Sequence, residues 1–271
     1  MALFTHTSGQ YLSRGDASLY FEVTGNDAGF PLVFLHGGMG NMTDFNVILG
    51  PFCQDFKLIA MDFRGHGKSR LGTKALSYQT YQEDVEALIA YLGIKEYALM
   101  GFSDGGITAY RLASKKCSKS AEKVKALVAI AAHQSLQQDD YIYPLLASMN
   151  GTKWRHKFSA SVAYYNRVNP DPDFDQLMQS VVALWTGQKA SAYPIKSVKH
   201  IKVPTLLVRG HDDPLFSEND LIELGDLIKG SKSCTIKGSG HESYQDNPYA
   251  FMLEVKPFLL ESLALEKSPA C

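Results

Sequence analysis

The sequence predicts an α/β fold, in which a mostly parallel sheet carries helices on both faces and one helical segment is inserted. Continuous apolar runs, typical of strands buried on both faces, alternate along the chain with amphipathic helical patterns. Residues 134–199 interrupt this alternation, because they contain no such apolar run and are rich in aromatic residues. A chain of 271 residues is long enough for one domain of this class with an insertion.

The individual elements follow from local patterns. One helix is predicted where Val85, Leu88 and Ile89 recur on one face. Another is predicted to begin at Asn247 and Pro248, a pair that suits the cap and the first helical position. Strands are predicted at residues 19–23, 31–35, 56–61, 97–100, 124–131, 205–208 and 233–236.

Residues 134–199, which we call the inserted segment, are predicted to form a helical cap, or lid. The core then comprises residues 1–133 and 200–271, since an unstructured loop of that length would be improbable. Trp154 and Trp185 lie in the inserted segment and are candidate substrate contacts. Most of its aromatic side chains are expected to pack it onto the core, and a few to line an apolar pocket.

Composition, charge and cysteine spacing limit the partners, cofactors and cellular location that we expect. A net charge of −1 gives no indication of a nucleic-acid partner. The first residues lack a signal-peptide pattern and no segment reaches the length of a membrane span, so a cytoplasmic protein without a membrane partner is expected. The four cysteines form no metal-like cluster, so we predict free thiols, no metal and no cofactor. A monomer or a homodimer is expected.

Residues 101–106, with the sequence Gly-Phe-Ser-Asp-Gly-Gly, carry the strongest catalytic signal. A Gly-x-Ser-x-Gly pattern between a strand and a helix is typical of a nucleophile elbow, which presents the serine hydroxyl above the sheet. The N–H groups at the start of the following helix can stabilise negative charge there. Taken alone, the pattern is also compatible with a glycine-rich turn, so Ser103 needs supporting groups elsewhere.

A serine nucleophile needs a base, and a histidine base needs a carboxylate that orients it. In parallel sheets such groups lie at the carboxyl ends of strands. Asp212 and Asp213 follow the strand predicted at 205–208, and His241 follows the strand predicted at 233–236.

The chain resembles the α/β-hydrolase superfamily over essentially its whole length, in the motifs His36-Gly37-Gly38-Met39-Gly40, Asp62-x-Arg64-Gly65-His66-Gly67-x-Ser69, the elbow, Gly-x-x-Asp and Gly-x-Gly-His. The resemblance implies an α/β-hydrolase fold with an eight-stranded, mostly parallel sheet. It also implies that Ser103 is the nucleophile and His241 the base. The family spacing selects Asp213 over Asp212 as the acid, and Asp212 then reads as a turn residue.

The same resemblance implies an oxyanion hole and bracing residues. The backbone N–H groups of Asp104 and Gly38 are the expected donors, with Met39 as the second choice in place of Gly38. By the same resemblance, His36 is expected to brace the loop that carries Gly38, and Arg64 and His66 are expected to hold the Asp62–Ser69 turn in place. His133 either faces the substrate pocket or packs against the core.

Asp104 has two possible roles. It is either an acid favoured by the dipole at a helix start or a substrate-binding carboxylate that pairs with an ammonium group, as in an aminoacyl ester. The Gly-Phe-Ser-Asp-Gly-Gly form resembles the elbow of valacyclovir-hydrolase-like members of the superfamily, which is the basis of the second role.

We therefore predict a serine esterase that cleaves a small carboxylic ester through an acyl-enzyme intermediate. The enzymatic alternatives are an aminopeptidase or aminoacyl-ester hydrolase, acting on an ester or amide, and a C–C bond hydrolase. Met39 stands where proline-iminopeptidase-like members typically have proline, which weakens the peptidase alternative. A ligand receptor that keeps a slow triad is the non-enzymatic alternative.

Overall fold

The computed structural model describes residues 2–189 and 191–265, and its centre is one eight-stranded sheet. In chain order the strands are β1 (Gln10–Arg14), β2 (Ala17–Gly25), β3 (Phe30–Leu35), β4 (Phe56–Met61), β5 (Tyr97–Phe102), β6 (Val124–Ile130), β7 (Thr205–Gly210) and β8 (Lys232–Ile236). Their order across the sheet is β1-β2-β4-β3-β5-β6-β7-β8. Among the strand pairs of the described residues, β1–β2 and β2–β4 are antiparallel and the other five are parallel, so the predicted eight-stranded, mostly parallel sheet is confirmed.

Helices connect these strands and cover the sheet. They are α1 (Asn46–Leu49), α2 (Tyr78–Tyr91), α3 (Asp104–Ala113), α4 (Tyr143–Ala147), α5 (Gly151–Lys157), α6 (Ser159–Val168), α7 (Phe174–Trp185), α8 (Glu218–Leu227), α9 (Ser243–Asp246) and α10 (Pro248–Ser262). Short 3-10 helices occupy Met42–Phe45, Gly50–Phe52, Ala121–Lys123 and Ile195–His200. Every residue of β5 is buried, which requires that the centre of the sheet be covered on both faces.

Most of the strands and helices lie where the sequence patterns predicted them. The differences have physical reasons. β1 was not predicted, because it is an edge strand whose side chains are exposed or half-buried and form no apolar run. The helix predicted around Val85 begins earlier, at Tyr78, where the Ser77 side chain accepts a hydrogen bond from the Thr80 N–H. The cap predicted at Asn247 is present, since its side chain accepts from the Ala250 N–H.

The inserted segment lies between β6 and β7 and is helical. Its described residues contain α4 to α7 and no strand. Buried apolar side chains of α6 and α7 form a cluster with Met39, which lies in the loop after β3. Asn169 also donates hydrogen bonds from Nδ2 to the carbonyl oxygens of Gly65 and Gly67, at 3.3 and 2.9 Å. The inserted segment therefore packs on two loops of the core, and its limits at residues 134 and 199 stay a prediction.

In residues 2–189 and 191–265, no helix combines the length and the apolar character needed to cross a membrane. The same residues contain no group of three or more histidine, cysteine, aspartate or glutamate side chains that could hold a metal ion. Cys53, Cys117 and Cys234 carry free thiols, whereas Cys271 lies outside the described residues. The predicted cellular location and oligomeric state stay predictions.

Candidate active site

Ser103 occupies the sharp junction between β5 and α3. Its φ of 48° and ψ of −114° lie in a region that residues with a side chain rarely adopt. The Ser103 N–H donates to the Ile130 carbonyl at 2.9 Å, which ties the turn to β6. Gly105 lets the start of α3 lie close to the end of β3, because a Cβ there would overlap the carbonyl oxygen of Leu35. This strained serine, seated between a strand and a helix, has the geometry of the predicted elbow.

His241 lies in the loop after β8 and is paired with Asp213. Its Nδ1 is 3.0 Å from Oδ1 and 2.9 Å from Oδ2 of Asp213. The Asp213 side chain is fully buried, and its Oδ1 also accepts from the N–H groups of Leu215 and Phe216, at 2.8 and 3.1 Å. Asp212 is exposed, so the structure brings Asp213 and not its neighbour to the histidine.

The His241 ring also reaches the elbow. Its centroid is 4.9 Å from that of Phe102, the residue before Ser103. Because Nδ1 faces Asp213, Nε2 is the ring nitrogen that remains to accept a proton from a neighbouring hydroxyl. The fold thus gathers the three predicted residues from the ends of β5, β7 and β8.

The loop after β3 supplies the candidate oxyanion donors. Burial lowers the pKa of His66 to about 3, so its ring is neutral. His66 Nδ1 donates to the Arg64 carbonyl at 2.9 Å, and Nε2 accepts from the Met39 N–H at 3.1 Å. The Met39 N–H is therefore already engaged, which disfavours it as an oxyanion donor and leaves Gly38 as the candidate.

Gly38 lies directly against two side chains of the site. A Cβ on Gly38 would be 2.6 Å from Asp104 Oδ2 and 2.8 Å from Trp185 Cζ2. The Asp104 N–H is the first of α3, a position at which backbone N–H groups have no partner within the helix. That the N–H groups of Gly38 and Asp104 form the oxyanion hole stays a prediction.

The Asp104 carboxylate is buried and bound by neutral donors. The Tyr78 hydroxyl donates to Oδ1 at 2.8 Å, and the Trp185 Nε1–H lies 3.0 Å from both carboxylate oxygens. Only 2% of the residue is exposed, and the salt bridges found among the described residues do not include it. Burial raises the pKa of Asp104 to about 6, against the opposing effect of these two hydrogen bonds. Asp104 therefore links α3 to the start of α2 and the end of α7.

Asp104→Asn is expected to change how stability depends on pH. The folded pKa of about 6 lies above the ordinary value of about 4, so the wild type loses stability as pH rises through this interval, because the buried group must ionise. The variant carries no such charge. Its free energy of unfolding, relative to the wild type, should rise by about 2 kcal/mol between pH 4.5 and 7.5 in urea titrations. Asp212→Asn, at an exposed position, is the control for the loss of one surface carboxylate. A stability difference for Asp104→Asn that is constant with pH would contradict this prediction.

The other predicted substrate contacts lie in different surroundings. His133 Nε2 is 2.8 Å from the Leu215 carbonyl, and its ring meets Phe216 edge-on, so His133 packs on the loop that carries Asp213. Trp154, in α5, has its ring centroid 6.3 Å from that of Trp185, and among the described residues its Nε1 is buried without a hydrogen-bond partner. That His133, Trp154 and Trp185 contact substrate stays a prediction.

Tyr78 is the residue of this site that the sequence did not indicate. It is the first residue of α2, and its ring packs edge-on against Tyr193 at a centroid distance of 5.0 Å. The Tyr193 hydroxyl in turn donates to the Trp185 carbonyl at 3.0 Å. The Ser77 cap could have located the start of α2, but no local pattern reveals that Tyr78 points at Asp104.

Known proteins share this architecture. A family model described as the alpha/beta hydrolase fold matches residues 31–160. An AB hydrolase superfamily protein of Bacillus subtilis is 25% identical over 263 residues, covering 88% of this chain and 94% of its own length. An Escherichia coli esterase is 20% identical over 238 residues, covering 84% of this chain and 92% of its own length.

A solved carboxylesterase structure from Bacillus subtilis superposes with a TM-score of 0.70 at 19% identity, covering 94% of this chain and 92% of that one. At that identity the likeness shows the fold alone. The relatives found by sequence support hydrolase activity. The chain therefore has the α/β-hydrolase fold, and the matched family model and these relatives support a hydrolase of the α/β-hydrolase superfamily.

Proposed function

We propose that the protein is a serine esterase that cleaves small carboxylic esters through an acyl-enzyme intermediate. The observation that carries the proposal is the placement of His241, which is held by Asp213 at 2.9 Å and packed against the elbow. A strained serine beside an oriented histidine is the arrangement that makes a hydroxyl nucleophilic at neutral pH. The esterase name of the Escherichia coli relative supports the same reaction class.

The proposed reaction has two halves. His241 Nε2 takes the proton of the Ser103 hydroxyl while Oγ attacks the ester carbonyl carbon. The N–H groups of Gly38 and Asp104 stabilise the oxyanion, and His241 then returns the proton to the departing alcohol. A water molecule, deprotonated by His241, attacks the acyl-enzyme in the same way and releases the acid together with the free serine.

The experiment that tests this function is steady-state hydrolysis of p-nitrophenyl acetate by the wild-type chain. Many turnovers per protein molecule, and labelling of Ser103 by a phosphonate that stops them, are expected because the intermediate is covalent. A stoichiometric burst without turnover would instead favour a receptor. Turnover of a prolyl p-nitroanilide or a β-diketone, without ester turnover, would favour the peptidase or the C–C bond hydrolase.

The acyl group of the substrate is proposed to be neutral. An aminoacyl ester would place an ammonium group at Asp104, but both of its carboxylate oxygens already accept hydrogen bonds from Trp185. Alanyl and isobutyryl esters of one alcohol, which differ in an ammonium against a methyl group, should therefore differ by less than about tenfold in kcat/KM. A larger preference for the alanyl ester that disappears in Asp104→Asn would establish the aminoacyl alternative.

A further inference from the structure

We propose that an open basic groove on the core, outside the candidate active site, binds a small phosphorylated ligand. The groove has a volume of about 610 Å³ and lies between the end of α3 and the 3-10 helix Ile195–His200. This volume falls within the usual range for sites that bind small molecules. Its lining includes Arg111, Lys116, Lys196, Lys199 and His200.

Positive charge in the groove is not compensated by its own lining. No aspartate or glutamate of the described residues lines it, and none of its three lysines takes part in a salt bridge within that part of the chain. The neighbouring ammonium groups of Lys116 and Lys199, after desolvation, hold the pKa of His200 below its usual value. On a chain with a net charge of −1, so many cations around one concavity favour an anionic ligand.

The floor of the groove is preorganised. Arg111 is only 5% exposed, and it donates to Gln82 Oε1 at 3.1 Å and to the Ala192 carbonyl at 3.0 Å. The Ser114 hydroxyl donates to the Ser197 carbonyl at 2.7 Å, which fastens the 3-10 helix to the end of α3. The lysines are thus carried on a backbone that is held in place before any ligand arrives.

Acidic groups near Arg111 are engaged elsewhere. Glu83 lies 3.3 Å from Lys74 and Glu86 accepts a hydrogen bond from the Ser118 hydroxyl. Both raise the pKa of Arg111 against the larger, lowering effect of burial, but neither lines the groove. They therefore stabilise the guanidinium without occupying the space in which a ligand would lie.

The chemistry of the lining selects a phosphoryl group on an organic body. Ammonium groups act as point charges for phosphate oxygens, and several of them match a dianion better than a single carboxylate. The same groove has an apolar wall, formed by Tyr193, Pro194 and Ile195.

The backbone of this wall is also held in place. Ile195 has a φ of 48°, which is unusual for a β-branched residue, and its N–H donates to the Gln134 carbonyl at 2.7 Å.

The test is calorimetric titration of pyrophosphate into the full chain in 0.15 M NaCl. We expect one saturable site, at least about tenfold weaker in the double variant K196Q/K199Q, because each lost ammonium removes a charge-assisted contact. Lys229→Gln, at an exposed lysine outside the groove, is the matched control and should bind as the wild type does. Both altered groove lysines are exposed, so unchanged melting temperatures are expected and serve as the check on folding.

Two results would overturn the proposal. One is the absence of saturable binding by the wild type at millimolar pyrophosphate. The other is binding that K196Q/K199Q leaves unchanged or that Lys229→Gln weakens equally, since the site would then lie elsewhere or be nonspecific. Because the readout is binding, Ser103→Ala should behave as the wild type does, and the outcome is independent of the proposed esterase activity.

Discussion

Ser103→Ala is expected to reduce kcat for p-nitrophenyl acetate by at least about 10⁴-fold, because the variant cannot form the acyl-enzyme. Alanine meets the same backbone strain as serine at a φ of 48°, so the elbow should keep its shape. The loss should therefore appear without a change in melting temperature. Steady-state kinetics and thermal unfolding of the same samples measure the two effects.

A matched control for this variant is Ser243→Ala, two residues after His241. The Ser243 hydroxyl is buried and has no hydrogen-bond partner among the described residues, so its removal should leave kcat within about twofold. Equal losses in the two variants would mean that the loop after β8, and not the Ser103 hydroxyl, limits the reaction. Retention of wild-type turnover by Ser103→Ala would remove Ser103 as the nucleophile.

Asp213→Asn is expected to lower kcat by about 10⁴-fold with little loss of stability. An asparagine oxygen can keep the hydrogen bonds from the Leu215 and Phe216 N–H groups, which Asp213 Oδ1 now accepts. Its amide would then present N–H to His241 Nδ1 and favour the tautomer that carries the proton on Nε2. That nitrogen could no longer accept the proton of Ser103.

The neighbouring Asp212→Asn tests whether the choice between the two acids is right. Asp212 is exposed, and the carboxylate that His241 Nδ1 meets belongs to Asp213, so the Asp212→Asn variant should keep wild-type kcat. The Asp212→Asn and Asp213→Asn variants are altered at adjacent positions, and each loses one negative charge. If Asp212→Asn were the inactive one, the carboxylate of the proposed triad would have been assigned to the wrong residue.

Much of the fold and the identities of the candidate residues were predictable, because their signals are local. Buried parallel strands appear as continuous apolar runs, and seven of the eight strands, all except β1, begin within two residues of a predicted start. The elbow, the two adjacent acids and the histidine follow strand ends, so their order along the chain pointed to Ser103, Asp213 and His241. The edge strand β1 has an exposed and half-buried pattern and gave no such signal.

By itself, then, the sequence determined the fold class and the residues that could react, since periodicity and motif spacing are properties of the chain alone. Only the tertiary structure decided what those residues touch. It engaged the Met39 N–H with His66, paired His241 with Asp213, and closed Tyr78 and Trp185 around Asp104. Such contacts join groups far apart in sequence, as Asp104 and Trp185 are, and depend on how whole elements pack.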